Sequence, residues 1–161
     1  MTVLHNAAEN GHLEVWKLIS ANTDDKNPTT LDGYTPLHLA VKNGHLEMCK
    51  LILAITIDKN PAALDGCTPL HLAVKNGHFQ VCKLLLDNGI DKNPVYNGET
   101  PLQLAIIDMR FRIVPLFIEN GMDVVHIACY PDARICFYIM FLSIAALFGM
   151  IMYHEILNDW K

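Results

Sequence analysis

The sequence is poor in charged residues and lacks the cysteine patterns that mark several protein classes. Only 18% of its 161 residues are Asp, Glu, Lys or Arg, and the net charge is −5. Nucleic-acid binding relies on clustered Lys and Arg, so nucleic acid is not an expected partner. The five cysteines are an odd number without a C-x-x-C pair, which argues against a disulfide framework and a zinc ribbon.

The sequence also lacks the motifs of common enzyme classes: a nucleophile elbow, a phosphate-binding loop, a dinucleotide turn and a catalytic Cys/His signature. Six of the eight histidines recur at one fixed interval in two sets, which are His5, His38 and His71, and His12, His45 and His78. Members of a set lie on successive units and do not converge on one metal ion. We therefore expect a structural role for these histidines, and no enzyme activity, cofactor or metal site.

What the sequence does contain is an internal repeat with a step of 33 residues. The segment Thr35-Pro-Leu-His-Leu-Ala-Val-Lys-Asn-Gly-His45 recurs unchanged as residues 68–78. A variant begins one step earlier at Thr2, and a fourth copy begins at Thr100, one residue short of register. A fixed period of this length indicates stacked units rather than one globule.

Each unit predicts two short helices and a turn. Thr35 is a favoured N-cap, and Pro36 has the φ angle of a first helical position. Gly44 is expected to end this first helix, and a second, apolar helix begins near His45. Helices this short must pack on their neighbours to persist. Strong turn signals stand between the units, so we expect β-hairpins at Asp32-Gly33, Asp65-Gly66 and Asn97-Gly98.

The T-P-L-H-x-A motif, the Asn-Gly-His segment and the 33-residue step resemble ankyrin repeats. The resemblance covers residues 1–123 and implies a mainly α fold, an ankyrin-repeat solenoid of helix-turn-helix units joined by β-hairpins, with a concave binding face. It divides this domain into repeats at about residues 1–32, 33–65, 66–97 and 98–123.

The first and fourth units depart from the pattern. In the first, Val3 replaces proline and no hairpin precedes the motif, so we expect an uncovered N-terminal face. In the fourth, Asp108-Met109-Arg110 replaces Asn-Gly-His, and Pro115 falls inside the second helix. An interior proline costs about 3 kcal/mol, so we predict that this helix is kinked or starts late. The unit is interpreted as a terminal, atypical repeat.

In ankyrin repeats, partners contact the hairpin tips and the exposed side of the first helices. Carried onto this sequence, that surface comprises Tyr34, Cys67 and Glu99 before the motif threonine; Asp32, Leu64, Asp65, Tyr96 and Asn97 in the turns; and Lys42, Asn43, Lys75 and Asn76 on the first helices. Aromatic and charged residues together suit protein contact, although any solvated repeat displays similar residues. We expect Cys67 to be exposed because it follows a turn glycine, and Cys49 and Cys82 to pack inward as small hydrophobic residues.

The C-terminal part of the sequence has a different composition. Residues 124–134 are interpreted as a linker, and residues 135–153 contain no Asp, Glu, Lys or Arg. As a helix they would extend about 28 Å, close to the roughly 30 Å hydrocarbon core of a bilayer. We therefore predict one long apolar C-terminal helix that spans a membrane, with residues 154–161 as a short tail. The alternative is a buried helix that covers the last repeat.

The combined pattern favours a non-enzymatic scaffold or adaptor at a membrane. Ankyrin-like repeats would lie in the cytosol, bind a protein partner, and be tethered to the lipid bilayer by a single-pass helix. Ala145-x-x-x-Gly149 would also permit a weak homodimer. One alternative is an N-terminal fragment of a larger ankyrin-repeat membrane protein, such as an ion channel or acyltransferase. Another is an errant reading frame beyond Asp123 that produced the apolar segment.

Overall fold

The computed structural model describes residues 1–121, which form four pairs of short helices. The first helices of the pairs are α1 (Val3–Glu9), α3 (Pro36–Lys42), α5 (Pro69–Lys75) and α7 (Pro101–Ile107). The second helices are α2 (Leu13–Ala21), α4 (Leu46–Ile55), α6 (Phe79–Asp87) and α8 (Val114–Glu119). Successive first helices pack on one another from α1 to α7, and α6 packs between α4 and α8. The described residues therefore form the predicted two-layered stack.

A threonine is the N-cap of every first helix, as the sequence predicts. In the second pair, Thr35 precedes Pro36 at the helix start, and its backbone N–H donates to Nδ1 of His38 at 3.1 Å. The fourth pair replaces histidine by glutamine, and the N–H of Thr100 donates to Oε1 of Gln103 at 2.8 Å. In both cases a side chain three residues into the helix satisfies the N-cap amide.

The second helices share one fully buried position. It is occupied by Trp16, Cys49, Cys82 and Val114, each 0% exposed. The inward packing predicted for the two cysteines is confirmed, and burial raises the pKa of each thiol to about 12. Burying a large apolar side chain contributes roughly 1.5–3 kcal/mol, so the stack compensates for helices that are too short to persist alone.

The second helix of the fourth repeat starts late, which confirms the prediction made from its proline. Helix α8 begins at Val114, and Pro115 lies within its first turn. At that position a proline does not remove an intrahelical hydrogen bond. The residues just before it form a turn that is closed by the Ile113 N–H and the Arg110 carbonyl at 2.8 Å.

The segments between repeats contain less antiparallel pairing than the predicted β-hairpins would have. The Ala63 N–H donates to the Cys67 carbonyl at 2.9 Å, and Tyr96 and Glu99 form an isolated antiparallel bridge, but no strand is assigned within residues 1–121. The segment that enters each turn includes a proline, such as Pro61, that cannot donate to a ladder, and a lone two-stranded pair is marginal. At Asn97-Gly98 the predicted hairpin is present in its shortest form, a two-residue turn with positive φ at both residues that is closed by this bridge. At Asp32-Gly33 and Asp65-Gly66 the prediction is corrected to turns without strands.

Residues Met1–Met122 form one compact unit. The predictions for the linker at 124–134, the apolar helix at 135–153 and the tail at 154–161 lie outside the described residues. Among the helices of residues 1–121, none combines the length and the hydropathy needed to cross a membrane.

Candidate partner-binding groove

A groove lies between the turns and the first helices of the stack, with a cavity volume of about 640 Å³. The predicted site residues that line it are Asp32, Tyr34, Lys42, Cys67, Lys75, Asn76 and Tyr96. The structure thus brings together turn residues and first-helix residues from several repeats. This volume falls within the usual range for sites that bind ligands.

The other predicted residues serve the turns and helix ends instead. Asn43 caps α3 and donates from Nδ2 to the Leu39 carbonyl at 3.1 Å. Asp65 accepts the Cys67 N–H at 2.9 Å, and Asn97 takes a positive φ of 53° in the third turn. Leu64 is exposed at 82%, and Glu99 is paired with Tyr96 through the backbone. These five residues do not belong to the lining of the groove.

The expectation that Cys67 is exposed is wrong, because its side chain is only 1% exposed. Its carbonyl accepts a hydrogen bond from His38 in the preceding repeat, which draws this end of the turn into the stack. Burial, with a smaller contribution from Asp65, raises the pKa of the Cys67 thiol to about 11. Cys67 therefore lines the groove as a neutral thiol and not as a nucleophile.

Two tyrosines beside the groove pack against buried histidines. The ring of Tyr34 meets His38 edge-on at 5.2 Å between centroids, and the ring of Tyr96 meets His71 at 5.5 Å. Burial, with the nearby Cys67 as the next cause, raises the pKa of Tyr34 to about 12. Both tyrosines line the groove, so they offer amphipathic surfaces of the kind common at protein interfaces.

The structural role expected for the first histidine set is confirmed for His5 and His38. Nε2 of His38 donates to the Cys67 carbonyl at 3.1 Å, and His5 donates to the Tyr34 carbonyl at 2.9 Å. Because Nδ1 of His38 accepts the Thr35 N–H, the ring is neutral with its proton on Nε2. Burial lowers the pKa of His38 to about 4, against the opposing influence of the Cys67 carbonyl.

The third member of this set differs. Nε2 of His71 is buried without a hydrogen bond of normal geometry, although the backbone of Glu99 and Pro94 lies nearby. The turn at Asn97 is one residue shorter than its counterpart at Asp65, so the Glu99 carbonyl is not presented as the Cys67 carbonyl is. Burial lowers the pKa of His71, so this ring is also neutral.

Two members of the second histidine set, His45 and His78, each connect their repeat to the preceding one through a contact that we call the clasp. His45 donates from Nε2 to the Glu9 carbonyl at 2.9 Å, and His78 donates to the Lys42 carbonyl at 3.1 Å. In each case the ring lies against a glycine of the preceding repeat, Gly11 or Gly44. The fourth repeat was interpreted as atypical from its sequence, and the equivalent residue, Arg110, was missed. Arg110 stands where the repeat motif predicts histidine, and this position could have identified it.

Sequence reasoning also missed several residues of the groove. Glu9 lines it, as do Leu39 and Leu72, which are 9% and 8% exposed. Glu9 could have been found, because it lies one 33-residue step before Lys42. The two leucines gave no such signal, since their positions on the first helices are typical of core residues.

The chemistry of the described residues is that of recognition. Within residues 1–121, no group of three or more His, Cys, Asp or Glu side chains could hold a metal ion. The buried rings of His38 and His71 and the Cys67 thiol are neutral, and they are engaged in packing or backbone hydrogen bonds. The groove offers aromatic, apolar and charged side chains to a bound surface.

Stacked helix pairs with a groove along the turns and first helices define a tandem-repeat solenoid. The family model described as ankyrin repeats in three copies matches residues 1–63 and 56–128. The chain belongs to the ankyrin-repeat family, whose repeats are protein–protein interaction modules and are typically non-enzymatic. A search of curated proteins gave no match to this chain.

Proposed function

We propose that this protein is a non-enzymatic scaffold or adaptor whose groove binds a protein partner. The observation that supports this is the groove itself, which collects exposed turn residues and first-helix residues from successive repeats. The remaining polar side chains of the repeat motif are committed to caps and clasps, as His38 and His45 illustrate. Surface positions can therefore vary to fit a partner without disturbing the stack.

Photo-crosslinking from within the groove tests this proposal. A photoreactive benzoylphenylalanine in place of Tyr34 should form adducts with one partner in cells. The matched control places it at Lys83, an exposed residue of α6 outside the groove. Adducts confined to position 34 support the proposal, and equal adducts from both positions contradict it.

The proposal includes attachment to a membrane through residues 135–153, with the repeats on the cytosolic side. Its support is the sequence, which has no charged residue over those positions. The chain should sediment with membranes and resist carbonate extraction, whereas a version that ends at Ala133 should become soluble. A 161-residue chain that stays in the soluble fraction would contradict the attachment.

A weak homodimer through Ala145 and Gly149 is part of the same proposal. Two small residues at this spacing let apolar helices approach closely in a bilayer. Replacing Gly149 by Leu should reduce crosslinked dimers in membranes, while replacing Leu147 should not. Unchanged crosslinking of the Gly149 variant would exclude this helix pairing.

A further inference from the structure

The last residues of successive first helices carry an ordered set of charges. Glu9 ends α1, Lys42 ends α3 and Lys75 ends α5, and all three line the groove. The backbone carbonyls of these same residues accept hydrogen bonds from the following repeats, whose donors are His45, His78 and Arg110. Each charged side chain therefore starts from a backbone position that the stack holds in place.

These charges are available to a partner. The ion pairs within residues 1–121 are Lys17 with Glu14 and Lys50 with Glu47, all on second helices. Neither pair involves the charges of the groove. Asp32, an exposed residue of the first turn, also lines the groove. Along the ends of the first helices, the charge is thus negative at the first repeat and positive at the second and third.

The position of Glu9 is not explained by helix stability. The C-terminal end of a helix carries a partial negative charge, so a carboxylate there is unfavourable and a lysine is favourable by about 0.3–1 kcal/mol. Lys42 and Lys75 comply with this rule at the equivalent positions, whereas Glu9 does not. The carboxylate of Glu9 therefore indicates a role in binding a partner rather than in stabilising α1.

Apolar and aromatic turn residues line the groove beside this row of charges. Leu31 is 96% exposed in the first turn, and Tyr34 and Tyr96 flank the groove farther along the stack. Packed helices lie about 8–10 Å apart, so the three first-helix charges span about 20 Å. An extended peptide covers that distance with about six residues.

We propose that the groove binds an extended peptide segment of its protein partner that has a fixed charge order. A cationic side chain lies at Glu9, and carboxylates lie at Lys42 and Lys75. Apolar side chains of the peptide contact the tyrosines. This inference rests on the proposed function, because it specifies the partner of the same groove. The charge order also sets the direction of the peptide, since the reversed peptide would bring like charges together.

Selection from a random-peptide phage library against the 161-residue chain tests the inference. Peptides selected on the wild type should carry one basic residue and two acidic residues about three positions apart. They should bind the K42E/K75E variant about tenfold more weakly or worse. The matched control is K50E/K83E, which reverses two lysines on second helices and should leave binding unchanged.

Selection on the E9K variant provides an independent check. The Glu9 side chain is partly exposed, so thermal unfolding should show that the fold is retained. The basic residue should disappear from the selected peptides, while the two acidic residues remain. A selected set that keeps its basic residue would overturn the assignment of that end.

The failure of the inference is distinguishable from the failure of the proposed function. Selected peptides that lose binding in Y34A but not in K42E/K75E would overturn the charge order and leave the groove as the binding site. Peptides insensitive to both variants would overturn the groove as well. Recovery of no peptide would overturn the inference, while the crosslinking experiment would still decide the proposed function.

Discussion

The guanidinium of Arg110 lies against Gly77 of the preceding repeat, where a β-carbon would come within 3.1 Å of Nη1. Its Nη2 donates to the Lys75 carbonyl at 2.9 Å. The same arrangement joins His78 to Gly44 and to the Lys42 carbonyl. A planar donor that covers a glycine and reaches the carbonyl two residues earlier therefore connects successive repeats, and arginine fulfils this role in the fourth.

Position 44 requires glycine for two reasons, its backbone conformation and its contact with the clasp. Gly44 has a positive φ of 72°, and a β-carbon there would lie 2.7 Å from the His78 ring. G44A should therefore destabilise the protein by the left-handed backbone cost of about 1–2 kcal/mol and by a further displacement of the ring. Urea-induced unfolding measures the difference.

Gly89 provides the matched control for that prediction. Its φ is 69°, close to that of Gly44, but a β-carbon there would meet nothing within 4 Å. G89A should thus show the backbone cost alone. If G44A and G89A lower the free energy of unfolding equally, the contact between histidine and glycine has no energetic role.

Substitution of Arg110 tests whether the fourth repeat keeps a working clasp. R110A removes the hydrogen bond to Lys75 and should cost about 1 kcal/mol. R110H restores the residue type found at His45 and His78, so it should lose less stability than R110A. Thermal unfolding compares the two, with K83A as a surface control. Equal losses in R110A and R110H would show that the clasp cannot be rebuilt with histidine.

Acidification should destabilise the protein through His38. The folded pKa of about 4 lies below the ordinary value of 6.5, so the unfolded chain binds more protons between these values. The contribution of the neutral ring is complete above pH 6.5 and is lost as the pH falls toward 4. The loss amounts to about 3 kcal/mol, at about 1.4 kcal/mol per pKa unit.

The H38Q variant isolates this histidine, because Gln103 already performs the capping role in the fourth repeat. Glutamine does not titrate, so the stability of H38Q should depend less on pH between 6.5 and 4 than that of the wild type. The remaining dependence includes His71, whose pKa is also lowered by burial. Parallel stability curves for wild type and H38Q would exclude His38 as a source of acid sensitivity.

The repeated helices could be predicted from the sequence because near-identical copies carry the same local signals. A threonine precedes the first helix of every repeat, and a proline follows it in three of the four. Pro115 predicted the late start of α8. These features depend on residues close together along the chain. These features could therefore be predicted without knowledge of the contacts between repeats.

The features that sequence reasoning missed depend on contacts between repeats. Cys67 was expected to be exposed, but a hydrogen bond from His38 to its carbonyl draws this end of the turn into the stack. Arg110 differs in type from the histidine it replaces, so only the contact with Gly77 reveals its role. Glu9 and Lys42 lie far apart in sequence, and stacking alone places both in one groove.

The most direct test of the account is hydrogen–deuterium exchange of the chain with the partner captured from position 34. Binding should slow exchange in residues 30–34, at Tyr96 and at the ends of α3 and α5, which border the groove. Exchange in α4 and α6 should change much less. Protection confined to α4 and α6, with none along the groove, would contradict the assignment of the groove as the functional surface.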